Sequence, residues 1–287
     1  MSAPLRMRLA LAPALALTLV VASRAGAQPL AERVTRGGDA VVRFRYDVRP
    51  GVCGDGGRSI TIRSASGTTT HGYHVRSTSD GAWDTPHCVP GPARVAVTVR
   101  GGVPRALQLA VGSDWAPADG AGRDAGEAAR VVDLGTVPAA EAAAYLLDVA
   151  ARVDAPSPTR AILGAVVADG ALPAARLLRL ARDERLPHAT RRDATVWASH
   201  AACDAVHAAR GTVAAADTAD REVRRQVVFA LSQGRTDARR AALVRTARVD
   251  RDPAVRCAAL FWLGQQDGRG GPDASTLDLY EATLAAR

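Results

Sequence analysis

Lysine and asparagine are absent from this 287-residue chain, so all 37 of its basic residues are arginine. Without lysine there is no Walker A phosphate loop, no Schiff-base enzyme and no kinase-type phosphate lysine. Without asparagine there is no N-glycosylation acceptor and no Cys-His-Asn protease. The G-x-S-x-G elbow, the H-E-x-x-H metal motif and any paired-carboxylate arrangement are missing as well. Isoleucine occurs only at Ile60, Ile62 and Ile162. Lysine, asparagine and isoleucine have AT-rich codons, so the formal net charge of +8 reads as the arginine habit of a GC-rich genome. A nucleic-acid partner is not expected, and no cofactor is implied.

What is present begins with a leader. Arg6 and Arg8 stand without an acid near them, the apolar run "LALAPALALTLVVAS" follows, and Ala25-Gly26-Ala27 supplies a small-x-small cleavage site. The run falls short of the roughly 20 apolar residues of a spanning helix. Residues 1–27 are therefore expected to be a signal peptide, with no stable membrane anchor after cleavage and a periplasmic or secreted destination. Removing Arg6, Arg8 and Arg24 with it lowers the charge from +8 to about +5.

Residues 38–112 read as a small antiparallel β-domain. "AVVRFRYDV" alternates Val42, Phe44, Tyr46 and Val48 against Arg43, Arg45 and Asp47. "RSITIRS" repeats the alternation briefly, and Val95–Val99, Gly101-Gly102 and Val103–Val111 spell a hairpin. Pro104 suits an edge strand or a bulge. So small a core calls for a staple, and in an exported chain Cys53 and Cys88 are expected to pair. Closing a loop of about 35 residues stabilises by roughly 3–4 kcal/mol on the chain-entropy account. Residues 113–130, rich in Gly, Ala and Asp and without periodicity, read as a linker.

From residue 131 the period changes to that of helices, and the pattern repeats. "DPAVRCAALFWLGQ" (252–265) aligns without gaps on "DREVRRQVVFALSQ" (220–233). "PHATRRDATVWASH" (187–200) and "SPTRAILGAVVADG" (157–170) keep the arginine and the apolar face. The shared Arg160, Arg191, Arg224 and Arg256 recur 31, 33 and 32 residues apart. Such a period predicts about four stacked helix-turn-helix units with a continuous core, an α-solenoid over 131–287. Second helices are expected at 171–184, 203–217, 236–249 and 274–287, and an extra helix near 137–153.

The Asp-x-x-Val-Arg opening and the Ala-Leu-Gly-type ending of the last two copies resemble HEAT repeats of the short, phycobilin-lyase-like kind. That resemblance covers about half the chain and implies an α-solenoid whose second helices line a partner-binding face. It also implies that Arg224 and Arg256 are inter-repeat struts, with Asp220 and Asp252 as partners and caps. The first two copies carry proline in place of that aspartate, Pro187 and Pro156, so a full ladder is not implied.

Each group of chemistry-bearing residues also has a plainer role. His71, His74 and His87 beside Cys88 could gather a metal, but their spacing fits no standard zinc module. "GVCGDGGRS" lacks the third glycine and the following helix of a phosphate loop, and reads as a turn. His200, His207 and Cys203 are separated by an expected helix break at Ser199–Ala202. Cys203 and Cys257 fall two units apart and are expected to be unpaired, beyond the Cα separation of about 7 Å that a disulfide allows. Trp197 and Trp262 read as core. Two arginine clusters, Arg176, Arg179 and Arg182 and Arg239, Arg240 and Arg245, are the candidate partner surface, basic and therefore suited to an acidic protein. The expectation is a non-enzymatic interaction scaffold. The alternative is a lyase-like HEAT enzyme, or a ligand- or metal-binding protein with its site in the β-domain.

Overall fold

The computed structural model describes residues 28–36, 38–56, 59–64, 67–72, 88–112, 130–170, 172–209, 218–234, 236–265 and 273–286. The segments read as a leader, 1–27, and as a linker, up to residue 129, lie outside them, as do His74 and His87. Within them a small β region is followed by a run of helices.

A four-stranded sheet has the order β6-β5-β1-β7. β1 (Ala40–Tyr46) lies at its middle, between antiparallel β5 (Ala93–Arg100) and parallel β7 (Val131–Thr136). The alternation in β1 buries Val42, Phe44 and Tyr46 on one face, while Arg45 remains exposed. The β5–β6 hairpin turns through Gly101 and Gly102, whose φ angles of 58° and 72° are those a two-residue primed turn requires. β6 (Val103–Val111) is an edge strand, and Pro104 sits there beside a register shift at Thr98/Val99. Both are placements that tolerate a missing amide. A second sheet, β2-β3-β4, comprises Val52–Gly54, Ser59–Ser64 and Gly67–Gly72.

Two parts of this region depart from expectation. Val52–Gly54, read as part of a turn, is a strand, pairing Val52, Cys53 and Gly54 with Ile62, Thr61 and Ile60. A Cβ at Gly54 would lie 2.4 Å from the Val111 carbonyl oxygen, so glycine lets two backbones touch. Cys53 and Cys88 are joined, with Cα atoms 5.1 Å apart, and the bridge between Gly54 and Val89 holds their neighbours together. The second departure is β7, which belongs to the sheet although it falls within the segment assigned to the solenoid.

The helices rest on the sheet. α1 (Leu30–Arg36) buries Leu30 and Val34 one turn apart. α2 (Ala139–Ala150) sets Tyr145 edge-on to Phe44, ring centroids 6.0 Å apart. α3 (Pro158–Val167) receives a hydrogen bond from the Tyr46 hydroxyl to the Gly164 carbonyl at 2.8 Å. That carbonyl belongs to the last turn, where no intrahelical donor is available. Past α3, the Arg49 amide donates to Val167 and the Asp169 amide to Asp47. Sheet and helices therefore share one buried apolar cluster running from Leu30 to Tyr280.

The remaining helices are α4 (Ala174–Arg182), α5 (His188–Ala208), α6 (Thr218–Ser232), α7 (Asp237–Val249), α8 (Pro253–Gln265) and α9 (Ala274–Ala285). The break expected at Ser199–Ala202 does not occur. α5 runs unbroken for 21 residues, because Ala201 and Ala202 favour helix and the Ser199 hydroxyl donates to the Val196 carbonyl at 2.6 Å. His200, Cys203 and His207 thus share one helix.

The order of packing is not that of a simple stack. α5 packs against α4, α8 and α9, whereas α6 sits outside, against α7 and α8. Helices two units apart in sequence are thereby next to each other in space. The expectation of two unpaired thiols is corrected by this arrangement: Cys203 of α5 and Cys257 of α8 are joined, Cα atoms 4.9 Å apart. Small buried residues on both helices, Ala198, Ala202 and Ala205 on α5 and Ala259 and Gly264 on α8, permit so close an approach.

Candidate partner surface

α7 begins at Thr236, whose hydroxyl accepts the Arg239 amide. It buries Leu243 and Ala247 four residues apart, and Arg245 and Arg248 are exposed on the other side of the helix. Beyond it, α9 starts at Asp273, whose carboxylate accepts the Thr276 amide at 3.0 Å. Arg240 bridges the two helices, lying 2.5 Å from Asp273 and bonding the Thr276 hydroxyl. Between α7 and the start of α9 lies a groove of about 410 Å³, floored by Ala241 and Val244 and edged by Arg245, Arg248 and Val249. Asp237 and Ser275 complete its wall. Val249 is 71% exposed. Arg240 is paired with Asp273, so Arg245 and Arg248 against Asp237 leave the groove a net positive charge beside apolar surface.

The expected arginine surface is divided by this geometry. Arg240 and Arg245 line the groove, while Arg239 is exposed beside it. On α4, Arg176 is tied to Asp148 of α2 and to the Ala144 carbonyl. Arg182 holds Asp278 and Glu281 of α9 at 2.9 and 2.8 Å. Those two are struts, and only Arg179 of that cluster stands exposed with its charge outward. Arg248 was missed; its signal was its place three residues after Arg245 on the outer face of α7.

The four residues read as inter-repeat contacts lie together around α6 and the α7–α8 turn. Arg224 bonds Asp220 within α6 and reaches Asp250 at 3.2 Å. Asp220 also holds Arg251. Asp252 caps α8 by accepting the Ala254 amide at 2.9 Å, and its other oxygen takes Arg221 at 2.6 Å. Arg256 donates to the Ala247 carbonyl of α7 at 3.0 Å. The Asp252 carboxyl is pushed upward by its burial, but Arg221, the Ala254 amide and Arg224 outweigh this and hold it below the usual carboxylate range.

A second cluster lies inside the array. The Cys203 and Cys257 sulfurs and a ring nitrogen of His207 lie within 4.8 Å of one another. Nε2 of His207 is shielded from solvent with no hydrogen-bond partner. In the β region, His71 sits on β4 opposite Ile60, and its proposed companions His74 and His87 are outside the described residues. Trp197 is buried, and Trp262 is half-buried against Phe229 and Phe261. Among the described residues no helix is long and apolar enough to cross a membrane. No family model, curated protein or solved structure matches the chain.

Proposed function

We propose that this chain is an exported, non-enzymatic binding protein whose HEAT-like helices offer the α7–α9 groove to an acidic segment of a partner protein. The observation that carries the reading is the pairing of Arg245 and Arg248 with the apolar Val244 and Val249 in one groove. Apolar residues at such a site supply affinity, and charge supplies orientation and on-rate. The HEAT-like character belongs to the α6–α7 and α8–α9 hairpins, whose Asp-x-x-Val-Arg openings carry it.

The test is affinity capture by the full chain from the exported-protein fraction of a bacterium with a GC-rich genome. Wild type is compared with the charge-reversed Arg245→Glu/Arg248→Glu variant. Proteins held by wild type, released as salt shortens the Debye length from about 8 Å towards 3 Å and absent from the variant, support the reading. The same set of proteins on both baits contradicts it.

A further inference from the structure

We propose that the Cys203–Cys257 pair is a redox gate over a metal site: oxidised it is a strut, and reduced it binds a zinc-class cation together with His207. This goes beyond the binding reading and does not depend on it. The geometry is that of a two-helix site. Cys203 and His207 are four residues apart on α5, hence on one helical face, and Cys257 of α8 meets them where α5 and α8 pack together. All three candidate ligand atoms already lie within 4.8 Å of one another. Both cysteines are buried, and Nε2 of His207 is enclosed without a hydrogen-bond partner. A buried polar nitrogen left without a partner is costly, and a cation between it and the sulfurs would relieve that cost.

The chemistry of the ligand set selects the cation. Two thiolates and one imidazole are the soft and borderline donors that zinc takes tetrahedrally, with Zn–S near 2.3 Å and Zn–N near 2.0 Å. Opening the disulfide to such a site needs side-chain shifts on the order of 1–2 Å. Two thiolates neutralise a divalent cation, so the loaded site buries no net charge, which keeps desolvation affordable. Three protein ligands leave the fourth position for water or an incoming donor.

The gate is a two-electron exchange. A dithiol donor transfers two electrons and two protons to the disulfide, emerging as a disulfide itself and leaving Cys203 and Cys257 as thiols. Zinc then displaces both thiol protons. The disulfide and the metal compete for the same two sulfurs, so each state excludes the other.

The experiment uses the full chain, reduced with a phosphine and freed of it without oxygen, then titrated with Co²⁺ and Zn²⁺. The reduced chain is expected to develop thiolate-to-cobalt charge-transfer and tetrahedral d–d bands that zinc abolishes, and the oxidised chain to develop neither. His207→Ala should weaken cobalt binding at least tenfold. Zinc should protect Cys203 and Cys257 from alkylation, mapped by mass spectrometry on the unmutated chain, while Cys53 and Cys88 react. This mapping needs no cysteine variant to fold. The proposal is overturned by a reduced chain without thiolate–cobalt bands, by equal alkylation of Cys203 and Cys257 with and without zinc, or by undiminished binding in His207→Ala.

Discussion

At the scale of single residues, Asp252 shows how one carboxylate joins three segments. It starts α8 by capping Ala254 and anchors Arg221 of α6 at 2.6 Å. A lost cap costs about 1 kcal/mol, and a lost charged hydrogen bond about as much again. Asp252→Ala should therefore lower stability by about 2 kcal/mol, a fall in Tm of about 4–8 °C for a chain of this size. Its folded-state pKa is lowered, so its contribution is complete above an unfolded value of about 4 and vanishes as pH falls through the lowered value. Asp252→Asn keeps a capping oxygen but no titrating charge. Thermal melts of wild type and Asp252→Asn should accordingly converge as pH falls below about 4, and a gap independent of pH would contradict the role given to the charge. Tyr46 and Gly164 form a second such device. Its burial drives the Tyr46 hydroxyl well above the ordinary phenol range, keeping it a donor to the Gly164 carbonyl at 2.8 Å. A Cβ at Gly164 would meet Leu146 Cδ1 at 2.8 Å and the Tyr46 hydroxyl at 3.1 Å. Gly164→Ala is expected to cost about 1–3 kcal/mol by overpacking, measured by denaturant titration; an unchanged midpoint would show that α3 is not held so closely on the sheet.

At the scale of elements, the strands and helices were legible where short-range chemistry is strong. The Gly101-Gly102 turn and the alternation flanking it spell β5 and β6, and Asp252-Pro253 marks the start of α8. β7 was not legible, because "VVDLGT" is short, mostly exposed and follows a stretch without period. The unbroken α5 was missed because Ser199 can start a helix or donate back within one, and only the surroundings decide which. Packing order was the least legible feature. Alanine-rich stripes such as Ala194, Ala198, Ala201 and Ala205 state that a face is buried but not against which helix. The separation of Cys203 and Cys257 was misjudged for that reason, since adjacency in the repeat was taken for adjacency in space. Peptide mapping of unreduced protein tests the packing order. It should yield Cys203 linked to Cys257 and Cys53 linked to Cys88, with no free thiol. Two alkylatable thiols at positions 203 and 257 would contradict the bond between α5 and α8.

At the scale of the whole molecule, the sheet and helices form one cluster of buried apolar residues, and ion pairs brace its outside. Three arginines that the sequence offered as partner contacts, Arg176, Arg182 and Arg240, belong to that bracing. Arg245 and Arg248 stand outside that bracing, in a groove beside the most exposed valine among the described residues. That placement is the central claim, because it turns a general interaction scaffold into one with a stated binding face. Photo-cross-linking tests it most directly. Benzoylphenylalanine is placed at Val249 in the groove and, as a control, at Val153, which is 63% exposed between α2 and α3. In the exported-protein fraction, the probe at 249 should capture an acidic protein in a salt-sensitive manner, and the probe at 153 should not. Equal capture from both positions, or capture from 153 alone, would contradict the account.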